Sequence, residues 1–324
     1  MIEVKLMIYL NSRTLPKLQK KWKRNNWLKR ALGYWQIYLL MLPGLLYFLI
    51  FKIGPVWGLQ FAFYDYNVFG GLANSEFVGL RNFENFIKSP MFSQMLRNTL
   101  AISLINLIFY FPAPIILALF INEIGSPLYK RINQTIIYLP HFLSWVVISG
   151  LTFFIFSTDV GVINKLLISA DKKPIAFLTN PRLFWWILLF QTIWKEAGWG
   201  TILFLATISQ INPELYESAK IDGANRAQMI LKITIPAIVP TIVVLFILRL
   251  GRMLDVSFEQ ILLMRNPFVY EVSEVFNTYS YNQGVQMGNF SVGTTVDIFK
   301  SVISLVMVIV SNAVIKKTGQ EGIY

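Results

Sequence analysis

Asn212-Pro-Glu-Leu-Tyr-Glu-Ser-Ala-Lys-Ile-Asp-Gly-Ala-Asn-Arg226, followed shortly by Ile233-Thr-Ile-Pro236, stands between two long apolar runs. The stretch is polar and long enough for two short helices. Asn212 is a good N-cap, and Pro213 suits the first helical position. Glu214 and Glu217 fall in the first two turns, where the helix dipole favours acids. Glu217 can pair with Lys220 at i,i+3. Gly223 suits a left-handed helix end, after which a second helix can run from Ala224 to Lys232. The small residues Ala219 and Ala224 permit close approach of a partner, and Pro236 limits continuation of the helix. Each signal alone would suit an ordinary amphipathic loop. Together they describe a capped polar element held between two membrane segments, a part suited to docking into another protein at the membrane surface.

The rest of the composition agrees with a membrane setting. The 324 residues are 55% hydrophobic and 14% charged, against about 45–50% and about 25% in soluble domains. There is no cysteine and one histidine, so disulfides and thiolate chemistry are excluded and a metal-ligand cluster has little material. The net charge of +12 is unevenly placed: nine Lys/Arg lie in the first thirty residues against one acid, Glu3. Beside an apolar run, such an arm reads as cytoplasmic retention and attraction to anionic lipid, not as a nucleic-acid site. The arm is too long for a signal-peptide basic region, and no small-x-small cleavage site follows, so the first apolar run reads as a retained helix.

Six spans can be drawn, near 32–53, 98–122, 132–156, 183–209, from 237 onward, and 292–315. The fifth turns polar at Arg249, Arg252 and Asp255; the sixth carries Asp297 and Lys300 near its start. Lipid forces such segments to satisfy their own backbone, hence to be helical. The expected fold class is all-α and polytopic, with six transmembrane helices and a cytoplasmic loop at 213–232. Its divisions are a basic arm at 1–31, a transmembrane domain at 32–317 and a tail at 318–324. Both termini are expected in the cytoplasm, with Lys130, Arg131, Lys316 and Lys317 on the same side. No internal repeat or soluble domain is evident.

Inside the fourth span lies Trp194-Lys-Glu-Ala-Gly-Trp-Gly200. Charges at membrane depth face a cavity or a partner rather than lipid. Two indoles beside polar groups suit a pyranose ring, and Gly198 and Gly200 allow close approach or a local break. The alternatives at Glu196 and Trp199 are substrate contact and interhelical packing. Trp194, five positions from Trp199, is expected on a different face. His141, between Pro140 and Phe142, reads as a helix-packing or interface residue, with a proton relay as the alternative.

The spacing Glu217-x-Ala219-x-x-Asp222-Gly223-Ala224, with Ile233 and Pro236 downstream, resembles the "EAA" loop of bacterial ATP-binding-cassette importer permeases. Other segments resemble the carbohydrate-uptake permeases, particularly their MalF-like and LplB-like oligosaccharide branch. These are Phe77-Val-Gly-Leu-Arg-Asn-Phe83, Asn98-Thr-Leu100, Tyr138-Leu-Pro-His-Phe-Leu-Ser-Trp145, Asp159-Val-Gly-Val-Ile-Asn164, Trp194-Lys195, Gly198-Trp199 and Asn277-Thr-Tyr-Ser-Tyr281. Ser218 and Ile235 depart from the pattern conservatively. The resemblance implies a permease subunit in the bacterial inner membrane that is not an enzyme. Its implied partners are a second related permease, a cytoplasmic ATPase dimer and an extracytoplasmic sugar-binding protein. It implies coupling to the ATPase through Glu214, Glu217, Ala219, Lys220, Asp222, Gly223, Ala224 and Arg226. It implies a substrate path at Glu196, Gly198 and Trp199, then Arg252, Met253 and Val256. No cofactor belongs to this chain: ATP and Mg would be bound by the partner ATPase, which agrees with the absence of a Gly-x-x-x-x-Gly-Lys-Ser/Thr loop. The rivals are a permease for another solute, a stand-alone secondary transporter and a membrane-bound enzyme.

Overall fold

The computed structural model describes residues 33–317. The basic arm and the tail expected at the two ends lie outside the described residues. The chain divides into two units at Leu59/Gln60. In the first, the helix Trp35–Phe48 continues as a π turn, Leu49–Ile53, and then as a 3-10 stretch. Its apolar residues are exposed on every side. A helix apolar all round belongs in lipid or in a protein core.

The second unit is helical apart from one antiparallel pairing, Tyr64–Asp65 with Glu76–Phe77. Its centre is the 28-residue helix Pro181–Ile208, started by Asn180, whose side chain accepts from the Arg182 N–H. This helix carries Gln191, Thr192, Lys195 and Thr201 into the interior. The helices Pro90–Ile105, Pro112–Asn122, Pro127–Tyr138 and Ile235–Gly251 pack around it. Three apolar cores hold the packing: one around Phe184 and Leu188, one around Phe86 and Phe276, and one around Phe204 and Ile238. Polar groups join helices as well. Gln191 Nε2 donates to Thr152 Oγ1 (2.7 Å), and Gln260 Nε2 donates to Gln191 Oε1 (2.9 Å). Such bonds satisfy side chains where no water competes. Between the last two long helices, Glu274 is fully buried 3.6 Å from Arg265 and accepts from Thr278; burial pushes its carboxyl above the ordinary carboxylate range.

Among the described residues, four helices are long and apolar enough to cross a membrane: Trp35–Phe63, Pro90–Asn122, Arg226–Gly251 and Phe290–Lys317. A bent pair would make a fifth. Two expectations need correction. The third span is not one continuous helix. Pro127–Phe142 and Trp145–Phe156 meet at 100°, because a 3-10 turn over Leu139–Phe142 is followed by extended Leu143 and Ser144. Ser144 then caps the second half by accepting from the Val147 N–H. Pro236 does not stop the fifth helix either. Arg226–Met229 passes through a π turn, Ile230–Thr234, straight into Ile235–Gly251. The π turn shifts the bonding register to i→i−5, which accommodates the N–H that proline lacks.

Candidate functional site

The cytoplasmic-loop candidate is built as its residues dictate. Asn212 Oδ1 accepts from the Glu214 N–H (3.0 Å), starting the helix Pro213–Ile221. Gly223 takes φ +77°, the left-handed conformation glycine adopts without strain, and the Ala224 N–H returns to the Ala219 carbonyl (2.9 Å). A feature not singled out in the sequence follows. Asn225 and Gln228 form a reciprocal capping box (2.8 and 2.9 Å), legible as Asn-x-x-Gln before an apolar run. Glu214, Glu217, Lys220, Asp222, Gly223 and Arg226 are exposed, while Ala219 and Ala224 are half-buried. The expected Glu217–Lys220 ion pair is absent; both side chains stand in the open, where such a pair is worth only tenths of a kcal/mol. Leu215 and Ile221 are exposed at 53% and 87%, so the loop offers apolar as well as charged surface. Tyr216 OH lies 2.8 Å from Thr234 Oγ1, tying the loop helix to the base of the following long helix.

The second candidate region divides in two. Glu196, Arg252, Met253 and Val256 line one cavity of about 290 Å³. Gly198 and Trp199 do not line it. A Cβ on Gly198 would lie 1.9 Å from the Ile137 carbonyl oxygen, so Gly198 is the contact that lets Pro127–Tyr138 reach the central helix. Trp199 is half-exposed and stacks on His141, with centroids 4.4 Å apart and planes 6° apart. His141 also places Nδ1 2.9 Å from Glu196 Oε2. Trp194 lines a different hollow, with Ile148 and Gln191.

Residues the sequence reading missed complete the cavity: Asn106, Tyr110, Trp145, Arg249 and Gln260. Arg249, in the last turn of Ile235–Gly251, places its guanidinium 5.2 Å from the Tyr110 ring centroid. Its spacing to Arg252 was the available signal: i,i+3 on a helix end shares a face. Both arginines also border a second hollow beside Gly200 and Pro114, and Arg252 borders a third with Asp297 and Lys300. The two acids on the wall already have partners. Glu196 faces His141 and lies 3.9 Å from Lys195 Nζ, and Asp255 Oδ1 accepts from Asn277 Nδ2 at 2.8 Å. Neither Arg249 nor Arg252 forms an ion pair with a described residue. Asn106 is buried, donates to the Ile102 carbonyl, and has an Oδ1 with no hydrogen-bond donor.

Long apolar helices packed around a central helix with a polar inner face, and charged groups lining a cavity between them, suit a membrane transport protein. The chain belongs to the binding-protein-dependent transport system inner membrane component family, whose profile matches residues 110–318. It is therefore a multi-pass transport subunit and not an enzyme. It is 46% identical over 302 residues to Protein LplB of Bacillus subtilis strain 168, covering 93% of this chain and 92% of that one. It is 44% identical over 305 residues to the polygalacturonan/rhamnogalacturonan transport system permease protein YteP of the same strain, covering 94% and 95%. In fold it is similar to a chain of a bacterial alginate ABC transporter solved in complex with an alginate pentasaccharide-bound periplasmic protein. The TM-score there is 0.82 at 42% identity, covering 91% of this chain and 99% of that one.

Proposed function

We propose that this permease passes acidic oligosaccharides, released from polysaccharides, through an ATP-driven importer. The observation that carries the reading is the pair of unmatched arginines at the cavity. Neither arginine forms an ion pair, Glu196 and Asp255 lie on the same wall without closing on them, and a carboxylate on the cargo would supply the direct counter-charge that a cation facing a cavity favours. A uronate supplies it as a carboxylate that the planar guanidinium can grip in bidentate fashion. Its hydroxyls suit Asn106 Oδ1, and its apolar ring face suits Tyr110 and Trp145. Galacturonan and alginate, named for two of the similar proteins, are both polymers of uronic acids. The cavity lies near the lower end of the range of about 300–1,000 Å³ usual for small-molecule sites. One chain thus holds part of an oligosaccharide, and a second permease supplies the facing wall. The discriminating experiment is competition: uptake of a radiolabelled oligogalacturonate should be blocked by unlabelled uronates and not by the same sugars with reduced carboxyls.

In this reading the helix Pro181–Ile208 is a sixth span. It is less apolar than the others because one face, with Gln191, Thr192, Lys195 and Thr201, is buried in protein, while Trp186, Phe190, Trp194 and Leu203 stay exposed on it. Residues 213–232 then face the cytoplasm as the coupling loop of an alternating-access machine. Glu214, Glu217, Ala219, Lys220, Asp222, Gly223, Ala224 and Arg226 receive the ATPase, and an external binding protein delivers the sugar. Gly223→Pro, which forces φ near −65°, and Glu217→Arg, which reverses a charge, should each abolish sugar-stimulated ATP hydrolysis by the reconstituted complex while the chain still inserts. Full stimulation in both variants would remove the coupling role.

The chain's lack of cysteine makes the topology directly readable. Single cysteines at Lys316 and at Glu217 should react with an impermeant maleimide only after the membrane is opened. Labelling of either in intact cells would invert the proposed orientation.

A further inference from the structure

The bend in the third span exposes carbonyls that a continuous helix would have satisfied. Phe142 ends the 3-10 turn, and Leu143 and Ser144 are extended, so the carbonyls around residue 142 lack their usual N–H donors. In lipid, such groups must find partners within the protein. The partner here is Lys195 of the central helix. Its Nζ donates to the carbonyls of His141 (2.7 Å) and Leu143 (2.5 Å) and stands 5.5 Å from the Trp145 ring centroid. The side chain is 9% exposed, and its closest carboxylate oxygen, on Glu196, is 3.9 Å away. The ammonium is therefore bound mainly to backbone at the negative end of a helix dipole.

We infer that Lys195 is a positioning residue for transport. It pins the bend and so keeps Trp145, the first residue after the bend, on the cavity wall beside Glu196. The first half of the span has other attachments to the central helix, at Gly198–Ile137 and Trp199–His141. Its second half is held farther along, by Gln191 on Thr152. Among the described residues, only Lys195 bridges residues 141 and 143, on the two sides of the turn, with hydrogen bonds. Lys195→Met keeps the length and apolar stem but leaves two carbonyls without donors. The bend then opens and the Trp145 wall drifts. Lys195→Arg retains donors for both carbonyls.

Two measurements test this, the second of which rests on the transport reading above. Spin labels on Tyr129→Cys and Phe154→Cys, both outward-facing, report the bend by pulsed dipolar spectroscopy on the full chain in its reconstituted complex. A straight helix would place these positions about 38 Å apart at 1.5 Å per residue, and the bend brings them to roughly 25 Å. The expected result is a narrow short distance in the wild type and in Lys195→Arg, and a broadened, longer one in Lys195→Met. In uptake of an oligogalacturonate, Lys195→Met should raise KM about tenfold with kcat changed less than threefold, and Lys195→Arg should restore KM; a residue needed only for folding would lower the amount of active complex and leave KM alone. Lys195→Gln, which is uncharged and one atom too short to reach both carbonyls, gives the same two readings if the methionine variant does not assemble. Unchanged distance, or unchanged KM in a variant whose bend has opened, overturns the assignment. A wild type that gives the short distance but takes up no uronate overturns the transport reading alone.

Discussion

Arg249→Gln should cut the uptake of an acidic oligosaccharide by about ten- to a hundredfold relative to a carboxyl-reduced analogue measured in the same vesicles. The size follows from losing one hydrogen bond to a charged group, worth about 1.5–3 kcal/mol, at 1.36 kcal/mol per decade of rate. Glutamine keeps a polar group on the wall but removes the charge the carboxylate needs. Arg252→Gln should act in the same direction with a smaller effect, because Arg252 is exposed whereas Arg249 is half-buried against Tyr110 and screening weakens exposed charges. The double variant should be close to inactive toward acidic cargo. Arg249→Lys should recover part of the loss, since charge survives but the planar fork does not. The external binding protein, a separate chain, should hold the same sugar with unchanged affinity. If the ratio of acidic to reduced uptake is the same in wild type and double variant, the arginines serve structure and the cargo is not selected by charge here.

The second large effect belongs to Gly198. Alanine there would drive its Cβ to 1.9 Å from the Ile137 oxygen and 2.5 Å from the Ile137 carbonyl carbon. Both are backbone atoms, which cannot rotate aside, so the two helices must separate. Overpacking of this kind costs about 1–3 kcal/mol, occasionally more, and a clash with main chain belongs at the upper end. Because the same seam carries Lys195, Glu196 and Trp199, separating the helices also disturbs the bend and the cavity. Gly198→Ala should leave less than about a tenth of the folded permease that the wild type yields, read by fluorescence-detected size exclusion. Gly150→Ala is the matched control. It is also a helical glycine, but a Cβ there meets nothing within 4 Å, so yield should hold or rise slightly, as removing a helix-interior glycine usually allows. Equal yields from the two variants would show that the helices do not approach as closely as the structure has them.

What could be read from residues alone was whatever a residue decides for itself or with close neighbours in sequence. Asn212 caps and Gly223 turns left-handed because capping and φ preference act over a few residues. The long apolar runs became helices because lipid leaves the backbone no other option. The motif around Glu217 and Asp222 pointed to the family for the same reason, since its capping and turn signals all lie within one short segment. The readings that needed revision depended on contacts far apart in the chain. The central helix looked like an interrupted span because its polar face meets protein, through Gln191, Lys195 and Thr201, and hydropathy cannot see who the neighbours are. The bend after Phe142 was hidden, because the group that makes it tolerable lies some fifty positions away on Lys195. Arg249 looked like the polar edge of a span until the fold set it beside Tyr110, 139 positions earlier in the chain. Trp199 and Glu196, three apart on one helix, meet different surroundings: His141 stacks on one face of the half-exposed indole, while the carboxylate lines the cavity. Local conformation and membrane residence are written in short stretches of sequence. The cavity and its charge exist only where distant helices meet, because a buried group's environment is set by what packs against it.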